Sequence, residues 1–189
     1  LFRKEDGSSR ILGIWDQTLE TGVLDPVNGF QALYGTQYSR EEIDQALAAP
    51  DPLALVPSAD ENGHGTFLAS VAAGGEDPDQ DFTGAAPKAS IAMVKLKPAK
   101  EYLRDFYLIR EGADAYQEND IMMGVAYLLH LARRFSMPLV ICLGLGTNQG
   151  SHVGKSPLGL YLDDINIYAG TAVITAAGNE TGYGHHYRA

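Results

Sequence analysis

The chain of 189 residues has little sulfur, little positive charge and no long apolar run. Its single cysteine, Cys142, excludes an internal disulfide. Because Cys142 lies within an apolar run, we predict a buried thiol rather than a catalytic one. Lys and Arg number 14 against 24 Asp and Glu, and no basic run is longer than two residues. This balance argues against nucleic acid and anionic membranes as partners, since both demand a basic surface. No apolar run approaches the roughly 18–20 residues of a membrane span.

The composition is that of an ordinary globular protein. Hydrophobic residues make up 45% of the chain and charged residues 20%. A chain of this length can bury a sizeable core, and the simplest organisation is one domain over residues 1–189.

Strand-like and helix-like patterns alternate along the chain. Four apolar runs have the length of strands: Ile11–Trp15, Ser90–Leu96, Pro138–Leu143 and Ala172–Ala177. The last two are almost continuously apolar, which predicts strands covered on both faces. Strands that alternate with helices predict an α/β fold with a parallel sheet.

Local signals mark the intervening helices. A capping box at 39–42 precedes one helix, and Ser156 with Pro157 opens another that Gly170 ends. The longest helix is predicted from an amphipathic stripe formed by Ile121, Met122, Val125, Leu128, Leu129 and Ala132. Two segments, Gln17–Tyr38 and Lys97–Asn119, are predicted to be inserted loops.

The motif Asn62-Gly63-His64-Gly65-Thr66 opens a helix that is rich in small residues. A general base must lie on a rigid element with its ring free to reach a nucleophile, and a histidine at the start of a helix meets that requirement. Taken alone, His64 is more simply explained as a helix cap or a surface residue.

The motif Thr175-Ala176-Ala177-Gly178-Asn179-Glu180 ends an apolar strand. Acyl transfer needs a hydrogen-bond donor aimed at the oxyanion of the tetrahedral intermediate, and a short amide on a tight turn supplies one. In isolation, Asn179 is more simply a turn asparagine in a left-handed conformation.

A glycine-rich segment, Gly144-Leu145-Gly146, follows the third predicted strand. Glycines at a strand edge allow close approach of another backbone, so an extended peptide could pair with this edge. The rival interpretation is a dinucleotide phosphate loop. It is disfavoured because such a loop opens directly into its helix, whereas residues 151–155 intervene here.

Metal-site patterns are incomplete. Asp77-x-Asp79-x-Asp81 imitates the opening of a calcium loop, but Phe82 replaces the glycine that such a loop requires and Lys88 the glutamate. His185-His186 has no third ligand nearby in sequence. We therefore expect no metal and no cofactor, with a calcium ion at the acidic turn as the open alternative.

In their order and context, the His64 and Asn179 motifs resemble those of the subtilisin-like serine proteases, the subtilases. The resemblance implies a three-layer fold with a parallel sheet and hydrolysis of polypeptide substrates through an acyl-enzyme. It also implies that His64 is the general base and acid and Asn179 the oxyanion donor. The substrate-binding positions that it implies are Gly144, Leu145, Gly146, Ala177 and Gly178, although Gly144 replaces the usual serine of the family.

Two departures from the family pattern are informative. The nucleophile motif Gly-Thr-Ser is absent: Gln, Phe, Asn and Ala follow the four Gly-Thr pairs. Asp16 precedes His64 but lacks the glycine of the triad-aspartate motif. Instead, the stretch Leu1–Thr18 resembles clostridial subtilases related to spore-germination proteases, whose catalytic aspartate lies upstream of this segment. Asp16 is therefore predicted to hydrogen-bond a local turn.

The resemblance thus predicts a subtilisin-like domain that is incomplete at both ends and inactive by itself. Its expected partners are a polypeptide substrate and the remaining segments of the same domain. The alternative is a subtilase-like pseudoprotease that acts as a sensor or scaffold. The clostridial resemblance implies a bacterial protein that is secreted or associated with the spore or cell envelope.

Overall fold

The computed structural model describes residues 1–21, 26–147, 150–151, 153–179, 182 and 184. The chain forms two compact units, Leu1–Arg134 and Phe135–Ala189, and each is described by itself. The expectation of a single domain stays a prediction.

The first unit contains a three-stranded sheet. Strands β1 (Ile11–Asp16), β2 (Thr36–Ser39) and β3 (Ile91–Lys95) lie in the order β2-β1-β3. β3 is parallel to β1, as predicted, whereas β2 pairs antiparallel with β1. β2 overlaps the end of the segment that was predicted to be an inserted loop, since Thr-Gln-Tyr-Ser has no apolar alternation to indicate a strand.

In the described part of this unit, the α-helices are α1 (Arg40–Ala48), α2 (Pro52–Leu55), α3 (His64–Ala73), α4 (Glu101–Phe106) and α5 (Glu118–Arg134). The capping box of α1 is confirmed, since the Ser39 N–H donates to Glu42 Oε2 at 2.7 Å and the Glu42 N–H donates to Ser39 Oγ at 3.3 Å. α4 lies within the segment that was predicted to be a loop.

The buried face of α5 is rotated slightly from the predicted stripe. Val125 is buried as expected, but the other buried members are Asp120, Gly124, Tyr127 and Leu131. A Cβ atom added at Gly124 would lie 3.1 Å from Val94 Cγ1, so the absence of a side chain lets α5 approach β3 closely. Tyr127 packs against Trp15, with ring centroids 5.8 Å apart.

Both segments predicted as inserted loops are tied to the core of the first unit. Trp15 Nε1 donates to the Tyr34 carbonyl at 3.0 Å. The Tyr34 hydroxyl donates to Asp120 Oδ1 at 2.6 Å, and Lys97 Nζ lies 3.3 Å from that oxygen and 3.5 Å from the Tyr34 ring centroid. Burial, together with the hydrogen bond and charge of Asp120, raises the pKa of Tyr34.

The second unit pairs two parallel strands, β4 (Leu139–Leu143) and β5 (Thr171–Thr175), which are connected through α6 (Pro157–Asn166). The predicted helix start is confirmed, because Ser156 Oγ accepts from the Gly159 N–H at 3.1 Å and Pro157 occupies the first helical position. β5 ends two residues earlier than the predicted Ala172–Ala177 run.

The predicted burial of this second sheet is wrong for one of its faces. Cys142 is exposed, and Val140 and Ile174 are 70% and 57% exposed, whereas Ile141 is buried. Side chains alternate along a strand, so Val140 and Cys142 project away from the face that holds Ile141. Among the described residues β4 pairs with β5 alone, and the Val140 and Cys142 side chains on that face are exposed.

Candidate active site

His64 begins helix α3, and the residue before it sets the turn. Gly63 has φ +83°, in the left-handed region that glycine adopts without strain. A Cβ atom there would meet no atom within 4 Å, so the need for glycine is conformational rather than steric. The His64 N–H donates to Asn62 Oδ1 at 3.3 Å, and the Phe67 N–H donates to the Gly63 carbonyl at 2.9 Å.

Asp60, which the sequence analysis did not single out, binds both sides of this turn. Its Oδ1 accepts from the backbone N–H groups of Asn62 at 3.2 Å and Gly63 at 2.8 Å. Its Oδ2 accepts from Thr66 N at 2.8 Å and Thr66 Oγ1 at 2.6 Å. The Thr66 hydroxyl bond, followed by the backbone bonds, lowers the pKa of Asp60 to about 2.

The far end of α3 is anchored by backbone hydrogen bonds. The carbonyls of Val71 and Ala72 accept from the N–H groups of Ala85 and Ala86, both at 2.9 Å. The Arg10 guanidinium also donates to the Ala73 carbonyl. These bonds fix the C-terminal end of α3. Nearer its start, the apolar side chain of Phe67 is 64% exposed.

Asp16, at the end of β1, is fully buried. Its Oδ1 accepts from Thr18 N at 2.8 Å and Thr18 Oγ1 at 2.6 Å, which is the local turn that the sequence predicted. Its Oδ2 accepts from Ser58 Oγ at 2.6 Å and lies 3.7 Å from Lys95 Nζ. The Ser58 contact attaches the segment before His64 to the sheet, whereas Lys95 lies on the neighbouring strand β3.

Replacing Asp16 by Asn in the full-length protein should therefore lower stability but leave kcat/KM within about tenfold, or under roughly 1.4 kcal/mol of transition-state free energy. Asn keeps an acceptor for Thr18 but loses the charge beside Lys95 and the oxygen that accepts from the Ser58 hydroxyl. Peptidyl-anilide kinetics on active-site-titrated protein measure this. Asp44→Asn is the control, because Asp44 Oδ1 also holds a backbone N–H, that of Ser9 at 2.6 Å. A loss of about 10⁴ for Asp16→Asn alone would identify Asp16 as a triad aspartate.

The second unit brings its predicted site residues to one edge of the sheet. Leu143 lies opposite Thr175, and because β4 and β5 are parallel, residues 144–147 and 176–179 leave the sheet at the same end. The Ala176 N–H donates to the Leu143 carbonyl at 3.3 Å. Gly178 has φ +89°, and Asn179 is exposed at the end of the turn. Gly144–Gly146 and Ala177–Asn179 thus share this edge, whereas His64 belongs to the first unit.

The remaining candidate motifs are the acidic turn, the histidine pair and the glycine-rich segment. Within the described ranges, no group of three or more His, Cys, Asp or Glu residues could hold a metal ion. The acidic turn forms a short 3₁₀ helix, Pro78–Gln80, closed by the Asp77 N–H, which donates to the Phe82 carbonyl at 2.8 Å. His185 and His186 lie outside the described residues.

α6 begins at Pro157, so Gly144–Gly150 does not open directly into a helix. No described helix combines the length and apolarity needed to cross a membrane.

The chain belongs to the subtilase family, since the family model described as Subtilase family matches residues 50–188. The solved structure of the Clostridium perfringens CspB protease is similar to this chain, with a TM-score of 0.75 and 32% sequence identity. The match covers 95% of this chain but 33% of that one, so the chain spans about a third of the length of the CspB protease. Among curated proteins no match was found. The mixed α/β architecture with parallel strand pairs is therefore that of the subtilisin-like fold.

Proposed function

We propose that the full-length protein is a serine endopeptidase of the subtilisin type, in which His64 is the general base and acid and Asn179 is the oxyanion donor. The observation that carries the proposal is the Asn62–Thr66 motif at the start of α3, within the region that matches the family. In this mechanism a serine hydroxyl attacks the peptide carbonyl and His64 takes its proton. His64 then returns the proton to the leaving amine.

The common edge of β4 and β5 supports the role of Asn179. The carbonyl oxygen of the substrate gains negative charge only in the tetrahedral intermediate, so a side-chain amide held beside it lowers the barrier without tightening substrate binding. Asn179 follows Gly178, whose left-handed backbone turns the chain after β5. The exposed edge formed by Gly144–Gly146 and Ala177–Gly178 would bind the substrate backbone as an added strand.

The serine nucleophile is proposed to lie outside these 189 residues. Gly-Thr-Ser does not occur in the sequence, and the similar CspB protease is about three times as long. A base and an oxyanion donor without a nucleophile form no acyl-enzyme. We accordingly expect the 189-residue chain to be inactive and the full-length protein to be active.

A fluorophosphonate probe, which labels activated serines, tests both halves of this expectation. The full-length protein should be labelled, and the purified 189-residue chain should not. Labelling of the 189-residue chain would contradict the proposed place of the nucleophile. A full-length protein that resists labelling and cleaves no peptide would instead support the alternative, a pseudoprotease that serves as a sensor or scaffold. That alternative is favoured only by the absence of Gly-Thr-Ser from these residues.

A further inference from the structure

We propose that Asp60 is a positioning residue for His64: its carboxylate locks the left-handed turn and the first turn of α3, and so fixes the direction from which the imidazole approaches the reaction centre. This inference rests on the proposed protease function and deepens it. Asp60 touches no reacting atom in this scheme and acts through the backbone on both sides of His64.

The two carboxylate oxygens of Asp60 bind backbone segments on opposite sides of His64. Oδ1 binds the N–H groups of Asn62 and Gly63, which precede His64, at 3.2 and 2.8 Å. Oδ2 binds the N–H and hydroxyl of Thr66, which follows His64, at 2.8 and 2.6 Å. His64 lies between these two anchor points, so its φ and ψ angles cannot change without breaking a charge-assisted hydrogen bond.

The same carboxylate satisfies backbone donors that a helix start leaves without partners. Gly63 precedes α3 and has no side chain with which to cap the N–H groups of the first turn. Asp60 supplies the missing acceptor from outside the helix, and its negative charge also lies at the positive end of the helix dipole. Gly63 can thus occupy the position before the helix while Asp60 pairs the Thr66 N–H of the first turn.

The turn is in addition attached to the sheet. Ser58, two residues before Asp60, donates its hydroxyl to the buried carboxylate of Asp16 at 2.6 Å. The Ser58 contact therefore ties the short segment 58–64, which contains the Asp60 turn and leads to His64, to the end of β1. A catalytic group displaced by about 1 Å can lose on the order of 10² in rate.

The kinetic test replaces Asp60 by Ala in the full-length protein. We expect kcat on a peptidyl anilide to fall about 10- to 100-fold with KM nearly unchanged, because substrate binding is kept and the base is misplaced. The matched control is Asp6→Ala. Asp6 is an exposed aspartate of the same unit, and its Oδ1 accepts from Ser8 N at 2.9 Å and Ser8 Oγ at 2.6 Å. Its replacement removes the same kind of turn and should leave kcat unchanged.

A second variant separates positioning from a loss of folding. Thr66→Val removes only the hydroxyl that Oδ2 accepts from, and it should lower kcat in the wild-type background but add little to Asp60→Ala. Residues that act through one hydrogen-bond network are non-additive in this way. The proposal is overturned if the two substitutions lower kcat by factors that multiply in the double variant. It is also overturned if Asp60→Ala has the wild-type kcat per titrated active site.

The acid range provides a readout that does not depend on activity. The pKa of Asp60 is lowered to about 2 by the bonds from Thr66, so its stabilising effect is fully present above the ordinary pKa near 3.8 and is lost as the pH falls towards 2. The Tm difference between wild type and Asp60→Ala should therefore shrink as the pH falls from about 4 to 2. A difference that stays constant over this range would contradict the proposed bonds.

These measurements distinguish the two proposals. A wild-type full-length protein that shows no turnover overturns the protease function and, with it, the positioning role. If the wild-type protein turns over substrate but Asp60→Ala has the same kcat as Asp6→Ala, the positioning role alone is overturned.

Discussion

Replacement of His64 by Ala in the full-length protein should abolish turnover. The serine hydroxyl is a weak nucleophile until a base removes its proton, and the leaving amine must be protonated by the same group. We expect kcat to fall by about 10⁶, a figure that is carried over from the loss known for the catalytic histidine of subtilisin. Initial rates on a peptidyl anilide measure the loss. Enzyme amounts are normalised to folded protein, and folding is verified by a thermal melt.

His130→Ala is the matched control for this experiment. His130 Nε2 lies 2.9 Å from the Asn28 carbonyl, and the ring packs edge-on against Phe30, so its role in the first unit is structural. Its removal should lower stability and leave kcat/KM of the folded protein close to that of the wild type. If His64→Ala kept activity within tenfold of wild type while His130→Ala behaved as expected, His64 would not be the base.

Replacement of Asn179 by Ala in the full-length protein should lower kcat by about 10²–10³ with little change in KM. This magnitude is that of the oxyanion-hole asparagine of subtilisin and is carried over from it. The amide stabilises charge that exists only in the transition state, so its loss raises the barrier without weakening ground-state binding. Steady-state kinetics that resolve kcat from KM provide the measurement.

Asn166→Ala serves as the control in the same unit. Asn166 Oδ1 accepts from the Val173 N–H at 3.0 Å and so ties the end of α6 to β5. Its removal should lower the melting temperature and leave kcat unchanged. An effect of Asn179→Ala that appeared in KM alone would show that this residue orients substrate and does not stabilise the oxyanion.

Features that depend on neighbours in sequence were predictable. The capping box at Ser39 and Glu42 and the start of α6 at Ser156 and Pro157 involve residues at most three positions apart. The parallel pairing of β1 with β3 and of β4 with β5 followed from the alternation of strands and helices. The His64 and Asn179 motifs were singled out because, in their order and context, they resemble those of the subtilases; neither segment taken alone indicates a catalytic role.

Apart from the parallel strand pairing, features set by contacts between distant residues were not predictable. β2 is held by antiparallel pairing with β1, which its polar sequence does not signal. Cys142 was expected to be buried from its apolar neighbours, but burial depends on what packs over a strand rather than on the strand itself. The contacts of Asp16 with Ser58 and Lys95 join segments far apart in the chain.

Asp60 was missed for a different reason. Its bonds are local, but an aspartate three residues before a glycine and six before a threonine has no strong signature unless the turn between them is already known. The spacing Asp60-x-x-Gly63-x-x-Thr66 is the signal that could have identified it, since one short carboxylate can cap both a left-handed turn and the helix that follows.

The measurement that tests the central claim most directly is a pre-steady-state burst with the full-length protein and a chromogenic ester substrate. A serine peptidase that works through an acyl-enzyme releases about one equivalent of chromophore per active site before the slower steady state begins. We predict such a burst for the wild type and Asp16→Asn, and none for His64→Ala. Chromophore release without a burst in the wild type, or a full burst in His64→Ala, would contradict the account.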